Sequence, residues 1–327
     1  MKISVALCTF NGENFIRNQI DSILNQSLKV DEIVITDDGS TDNTLVILEE
    51  YKKNEPEIFH IYQNEINLKS NKNFEKTIAL CTGDYIFLSD QDDIWRNNKV
   101  EKTLEVFNQN PTAEGVFSNA KLINHQGKLI YESFSLWDTF LFDESKMIKP
   151  INLFELLIAN GNFITSATLC IKKEVKIFCF PFITSENFLH DEWLALILSK
   201  RKTLYYITDD LLLYRLHNSQ QQGVRNIETI FKKDKKTLRQ QNLILKLLNP
   251  VTFKDYKFLT NRYFAQYERF KNNNFNSSVI DDLINYITDK FVFYNIEMQK
   301  NHPIQYYFRK IKNEKKGRMQ IIKQSKH

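Results

Sequence analysis

Cysteine, proline and glycine are all scarce in this 327-residue chain, at four, six and eight residues. The cysteines, Cys8, Cys81, Cys170 and Cys179, form no CxxC pair and sit mostly in apolar segments. That argues against a disulfide framework or a zinc site and suits a reduced compartment. No run of 18 apolar residues occurs, so no membrane span is expected. The opening "MKISVALCTFNG" turns polar too soon for a signal peptide, which makes a cytoplasmic location the expectation. Neither GxGxxG nor GxxxxGK[ST] stands at a strand-to-helix turn, against dinucleotide or P-loop binding. A basic body is missing too. The first 300 residues carry 36 basic and 39 acidic groups, whereas Asn301 to His327 holds eight Lys/Arg and one acid, Glu314. Nucleic acid is therefore not an expected partner.

What is present is an ordinary globular composition, 42% hydrophobic and 26% charged, able to bury a real core. The first 110 residues alternate strand and helix. "ISVALC" (3–8), "EIVIT" (32–36), "IFHIYQN" (58–64) and "DYIFLS" (84–89) read as strands. Between them, "ENFIRNQIDSILNQ", the stretch around Leu45, Ile47 and Leu48, and "NKNFEKTIALCTG" read as helices; "NNKVEKTLEVFNQN" (97–110) is a fourth. Such alternation implies an α/β protein with a mostly parallel central sheet flanked by helices. Further on, "GVFSNAKLIN" (115–124) and "KLIYESF" (128–134) suggest a hairpin, and 135–150 a loop. "NLFELLIAN" and "EWLALILSK" are apolar helices, "TLYYITDDLLLYRLH" (203–217) one or two strands, and the chain beyond Gln220 is helix-like and charged. The domain expectation is 1–225 for the α/β part and 226–327 for a helical C-terminal extension with a basic tail.

Ligands of such sheets bind beyond the carboxyl ends of the strands, and three polar clusters lie at those ends: "CTFNGE" (8–13), "TDDGS" (36–40) and "SDQDD" (89–93). Asp90, Asp92 and Asp93 crowd three carboxylates into four positions. Oxygen ligands suit Mg²⁺ or Mn²⁺; an acidic turn capping the next helix is the plainer account. In "TDDGS" a turn with Gly39 at positive φ competes with an aspartate that accepts the imide N–H of a pyrimidine. In "CTFNGE" a helix N-terminus offers a place for a diphosphate.

Taken together with "HDEWLAL" and "YRLH", these clusters resemble the family 2 glycosyltransferases of GT-A fold over roughly residues 1 to 220. The DQDDIW and HDEW forms are most similar to bacterial rhamnosyltransferase-type members acting on cell-surface polysaccharide. The resemblance implies a metal-dependent inverting transfer from a nucleoside-diphosphate sugar, UDP- or dTDP-linked, to a hydroxyl of a surface glycan or lipid-linked acceptor. It places Thr9, Phe10, Asn11 and Asp38 around the nucleoside, with Phe10 standing where Tyr is common. Asp90 and Asp92 become the DxD element, contacting ribose and an Mg²⁺ or Mn²⁺ ion, with Asp93 supporting the loop. His217 is a further ligand of the metal or meets a diphosphate oxygen, a structural histidine at a strand end being the plainer account. Lys72 and Arg215 offer positive charge to the phosphates. Asp191 becomes the catalytic base, with Glu192 its neighbouring alternative and a helix cap at Trp193 the structural one. "ANGNFITSATLCIKK" (159–173) falls where the acceptor site is expected. The basic tail suits anionic lipid headgroups at the inner face of the membrane, or is a solvated terminus. A sugar nucleotidyltransferase and a non-catalytic glycan- or lipid-binding subunit are the rival readings; the first normally carries a glycine-rich GxGxR-type loop that "CTFNGEN" lacks.

Overall fold

The computed structural model describes residues 1–130, 132, 134–140, 142, 153–217, 220, 246–247, 249–273, 275 and 277–314. One eight-stranded sheet organises the N-terminal part, in the order β3-β2-β1-β4-β7-β6-β8-β5. These strands are β1 (Ile3–Thr9), β2 (Glu32–Asp37), β3 (Phe59–Gln63), β4 (Tyr85–Ser89), β5 (Ile94–Trp95), β6 (Gly115–Ile123), β7 (Leu169–Lys172) and β8 (Leu204–Arg215). β1 pairs in parallel with β2 and β4, and β2 with β3. β7 is antiparallel to both its neighbours, β4 and β6, which leaves β6 running the same way as β4. β8 is parallel to β6 with a bulge at Ser118–Ala120, and β5 runs antiparallel to β8. Six strands therefore point one way and only β5 and β7 oppose them. The ends of β1, β2, β4 and β8 share one rim.

The central strands are buried on both faces, as an apolar run in a parallel sheet requires: every residue of β2 is buried and all of β1 but Cys8. Helices α1 (Ile16–Leu24), α2 (Thr44–Asn54), α3 (Lys69–Leu80) and α4 (Lys99–Gln109) connect or follow the strands. Their inward positions repeat at helical spacing, as with Ile16, Ile20 and Ile23 on α1. The expected hairpin after β6 is a turn at Asn124–Gly127 with isolated bridges, Ile123 to Leu129 and Lys121 to Ser135. A one-turn helix, α5 (Leu136–Thr139), occupies part of the expected loop. After α6 (Leu153–Asn160) come a 3₁₀ turn at Ser166–Thr168, α7 (Val175–Cys179) and α8 (His190–Lys200). α8 is buried from His190 to Ser199, the pattern of a helix enclosed all round.

The described residues fall into two compact units, one within Met1–Phe142 and Phe163–Leu238, the other within Asp143–Asn162 and Arg239–His327. The expected boundary at 225 lies outside the described residues. In the second unit, α6 joins α9 (Phe253–Asn272), α10 (Ser278–Asn301) and α11 (Pro303–Glu314). There Glu155 accepts from Lys290 at 2.6 Å and from the Tyr263 hydroxyl at 3.3 Å. A reciprocal cap between Thr252 and Asp255 opens α9. No helix among the described residues is long and apolar enough to cross a membrane.

Candidate functional site

The rim gathers its acids from separate segments. Directly after β4, Asp92 Oδ2 meets His217 Nε2 at 2.7 Å, two residues past the end of β8. The His217 ring lies on Phe15, 4.5 Å between centroids. Asp93 is fully buried; one oxygen accepts the Arg215 N–H at 2.8 Å and the other has no hydrogen-bond partner. Burial, then the neighbouring Asp92 and Asp90, hold its carboxyl well above the ordinary range. Asp90 accepts from the Ser166 hydroxyl at 2.7 Å. Enclosure, then the Asp92 charge, pushes its pKa up to about 7, against the Ser166 hydroxyl and the Ala167 amide. Carboxylates arranged so that ionisation is resisted are poised to receive positive charge.

Asp191 stands on the other side of Ser166. It lies inside the first turn of α8, whose N-cap is Leu189, so the cap assignment at Trp193 does not describe it. One of its oxygens accepts the N–H of Glu192 at 2.6 Å. Burial, then the Glu192 charge, raises its pKa to about 7; the Ser166 amide acts in the opposite direction and the Asp90 charge adds to the rise. A carboxyl titrating near neutrality has the proton affinity a general base needs. Ser166 thus gives its hydroxyl to Asp90 and turns its amide to Asp191. Two acids 101 positions apart in sequence are joined through one residue.

Residues 4–164 match the model of glycosyl transferase family 2. A dTDP-rhamnosyl transferase of Shigella flexneri, RfbG, is 32% identical over 228 residues, which cover 66% of this chain and 73% of the relative. The chain belongs to glycosyltransferase family 2. The chondroitin synthase of Escherichia coli is 32% identical over 133 residues, 41% of this glycosyltransferase but only 19% of the synthase. Among solved structures, S. aureus TarS 1–349 in complex with UDP-GlcNAc superimposes with a TM-score of 0.53 at 14% identity, over 97% of this chain and 92% of that one. That likeness is one of fold, the GT-A fold.

The remaining expected residues of the glycosyltransferase divide sharply. Thr9 is buried and gives its hydroxyl to Asp37 at 2.9 Å. Phe10 is half-buried at the rim, its backbone paired in both directions with the Gln91 amide, at 2.9 and 3.0 Å. Asn11, at φ 49°, braces the opposite turn by accepting from the Thr41 N–H at 2.8 Å. Asp38 is buried, and its carboxylate accepts from Asn64 Nδ2 and from the N–H groups of Leu68 and Lys69. Lys72 is exposed on α3 and reaches Glu75 at 2.9 Å. Arg215 does not offer its charge to the rim. It is fully buried and donates to the carbonyls of Asp92, Asn124 and His125, clamping the DQDD loop from beneath.

Three contributors went unforeseen. Gln91 ties the first loop to the fourth, and a Cβ on Gly12 would lie 2.3 Å from its Oε1. Ser166 was visible only as one of several hydroxyls in the acceptor segment. Lys99 is fully buried, its ammonium 2.6 Å from the Ala167 carbonyl and 4.9 Å from the Trp95 ring centre. Burial pulls its pKa down to about 8, although Asp93 and Asp90 act to raise it. Its signal is phase: Lys99, Thr103 and Phe107 recur every four residues on the buried face of α4.

Proposed function

We propose that this glycosyltransferase is inverting and metal-dependent, moving a sugar from a UDP- or dTDP-linked donor to a hydroxyl of a cell-surface glycan or lipid-linked acceptor. The observation carrying this reading is the meeting of Asp90, Asp92, His217 and Asp191 beside one rim, in a chain of this family. The name of the S. flexneri relative favours dTDP and rhamnose. The transferase domain lies within 1–225, apart from α6, which belongs with the C-terminal helices, and the enzyme works in the cytoplasm, with peripheral contact at the inner face of the membrane.

Thr9, Phe10, Asn11 and Asp38 border the nucleoside, and Lys72 stands toward the phosphates. Asp191 takes the proton of the acceptor hydroxyl. The freed oxygen forms its bond to the anomeric carbon from the face opposite the diphosphate. The bond from that carbon to phosphate breaks, and its electron pair leaves with the nucleoside diphosphate. Asp92 and His217, with Asp90 beside them, offer carboxylate oxygen and imidazole nitrogen, a donor set that suits Mg²⁺ or Mn²⁺. Among the described residues no three His, Cys, Asp or Glu side chains are arranged to hold a metal by themselves, so phosphate oxygens of the donor would complete the shell. When bound, the cation neutralises charge building on the departing diphosphate.

Thermal shift with UDP and with dTDP, each with and without Mn²⁺, tests the reading. Metal-dependent stabilisation by one nucleotide, lost in Asp92→Ala, is expected and identifies the donor. No stabilisation by either nucleotide would sink the proposal and return the non-catalytic subunit.

A further inference from the structure

Helix α11 carries an apolar stripe turned to solvent. Ile304 is 71% exposed, Tyr307 61%, Phe308 68% and Ile311 39%. The spacing i, i+3, i+4, i+7 places all four on one face. At 100° per residue they fill an arc of about 100°. Lys310 and Lys312 fall on opposite sides of it, roughly 60° and 40° beyond its edges. The far side of the helix is committed elsewhere: Asn313 is buried, and Arg309 donates to the Thr260 hydroxyl at 2.6 Å and to Asn261 Oδ1 at 3.2 Å, both on α9. The helix is therefore held with its apolar stripe outward.

Four large apolar side chains left in water are costly, about 25 cal/mol for each Å² of apolar surface. Something in the protein's working state covers them, and charge indicates what. Lysines flank the stripe on both edges, and the chain from Asn301 to His327 carries eight Lys/Arg against one acid. A helix with aromatic and aliphatic residues on one face and lysines at its borders is built to lie in a lipid interface, rings among the acyl chains and ammonium groups reaching the headgroups. A second copy of this chain would bring the same positive edges together, and like charges repel.

We propose that α11 docks the protein on an anionic lipid bilayer, with Tyr307 and Phe308 as its central insertion. The inference deepens the membrane contact proposed above and rests on that reading for its biological setting, whereas the docking itself requires no catalysis.

The test is co-sedimentation of the full chain with phosphatidylglycerol–phosphatidylcholine vesicles and with pure phosphatidylcholine vesicles. Binding to the anionic vesicles is expected, weakening as salt is raised. Tyr307→Ser combined with Phe308→Ser should lower the partition coefficient by about tenfold or more, and Lys310→Glu with Lys312→Glu should lower it further on anionic than on neutral lipid. Both pairs lie on the exposed face, and unchanged melting temperatures will confirm that they fold. Absence of vesicle binding, or binding indifferent to the ring pair, overturns the proposal. A dimer seen by light scattering, lost in the ring pair and unaccompanied by vesicle binding, overturns it in favour of a second copy. Nucleotide thermal shifts on the same samples keep the two readings apart: vesicle binding without any nucleotide response would remove the transferase proposal and leave the docking surface standing.

Discussion

Aspartates at the ends of β2 and β4, the parallel strands on either side of β1, are treated in opposite ways. At the end of β2, Asp37 accepts from the Thr9 hydroxyl, the Gly39 and Ser40 amides and the Ser40 hydroxyl. Asp38 accepts from Asn64, Leu68 and Lys69. These acids are saturated by the chain's own donors: Asp37 shapes the turn after β2, and Asp38 ties that turn to the segment between β3 and α3. After β4 the supply is thin. One oxygen of Asp93 has no hydrogen-bond partner, and burial and mutual repulsion raise Asp90 to about 7 and Asp93 well above its ordinary value. Residue type and strand-end position are the same at both sites. Donor supply decides whether an acid holds the fold or waits for a partner, because an unmet buried charge is costly while a saturated one is structural.

The comparison can be broken at its functional end first. Asp191→Asn removes the proposed base while keeping its shape, so transfer should fall by about 10²–10⁴ with donor binding retained; near-normal turnover in a coupled nucleoside-diphosphate release assay would show that another group takes the proton. At the saturated end, Asp38→Ala leaves three donors without their acceptor. It should cost about 1–3 kcal/mol of stability with or without Mn²⁺, read by urea unfolding. Asp92→Asn should cost far less and instead abolish stabilisation by metal and nucleotide. If the two variants exchanged these signatures, the division between the two strand ends would be wrong.

pH sharpens the same contrast. Asp90 and Asp191 have folded-state pKa values of about 7 against the ordinary 3.8. Between those values the folded chain therefore holds more protons than the unfolded one. Stability from these groups is present at low pH and is lost as pH rises through about 7. The metal-free protein should melt at a lower temperature at pH 8 than at pH 5.5 on their account, and Asp90→Asn should flatten part of that slope. A slope unchanged in the variant would assign it to other groups. The smallest effect concerns the bridge: Ser166→Ala should lower kcat by about tenfold, the size of one lost hydrogen bond, whereas Ser166→Thr should restore part of it. Equal loss in both would indicate packing rather than the hydroxyl.

Much of this was legible from residues alone. Short apolar runs and period-3.6 patterning marked the four βα units, and the polar clusters at their ends marked the rim, because local chemistry repeats there with little interference. Positive φ at Gly39, 87° in the structure, followed from turn chemistry. Other features depend on distant partners. β7, read within the acceptor segment, exists as a strand because β4 and β6 flank it. The two-residue β5 exists because β8 pairs with it. Arg215 looked like a phosphate ligand because sequence shows charge and not depth. α6 stood far from the C-terminal helices in sequence yet belongs to their unit. Ser166 could not be told from its neighbours, since a hydroxyl among hydroxyls acquires meaning only from the two acids it meets.

That serine sets a rule for anyone recombining such enzymes. A chimaera that takes its donor half from one parent and its acceptor half from another must cross over somewhere between Asp90 and Asp191. A junction before Ser166 and one after it are not equivalent. The turn at 166–168 meets both acids, so whichever parent supplies it also calibrates the spacing of the other parent's acid. Grafts that carry Asp90, Ser166 and Asp191 from one source should transfer specificity intact, and grafts that split them should yield folded proteins with mismatched halves.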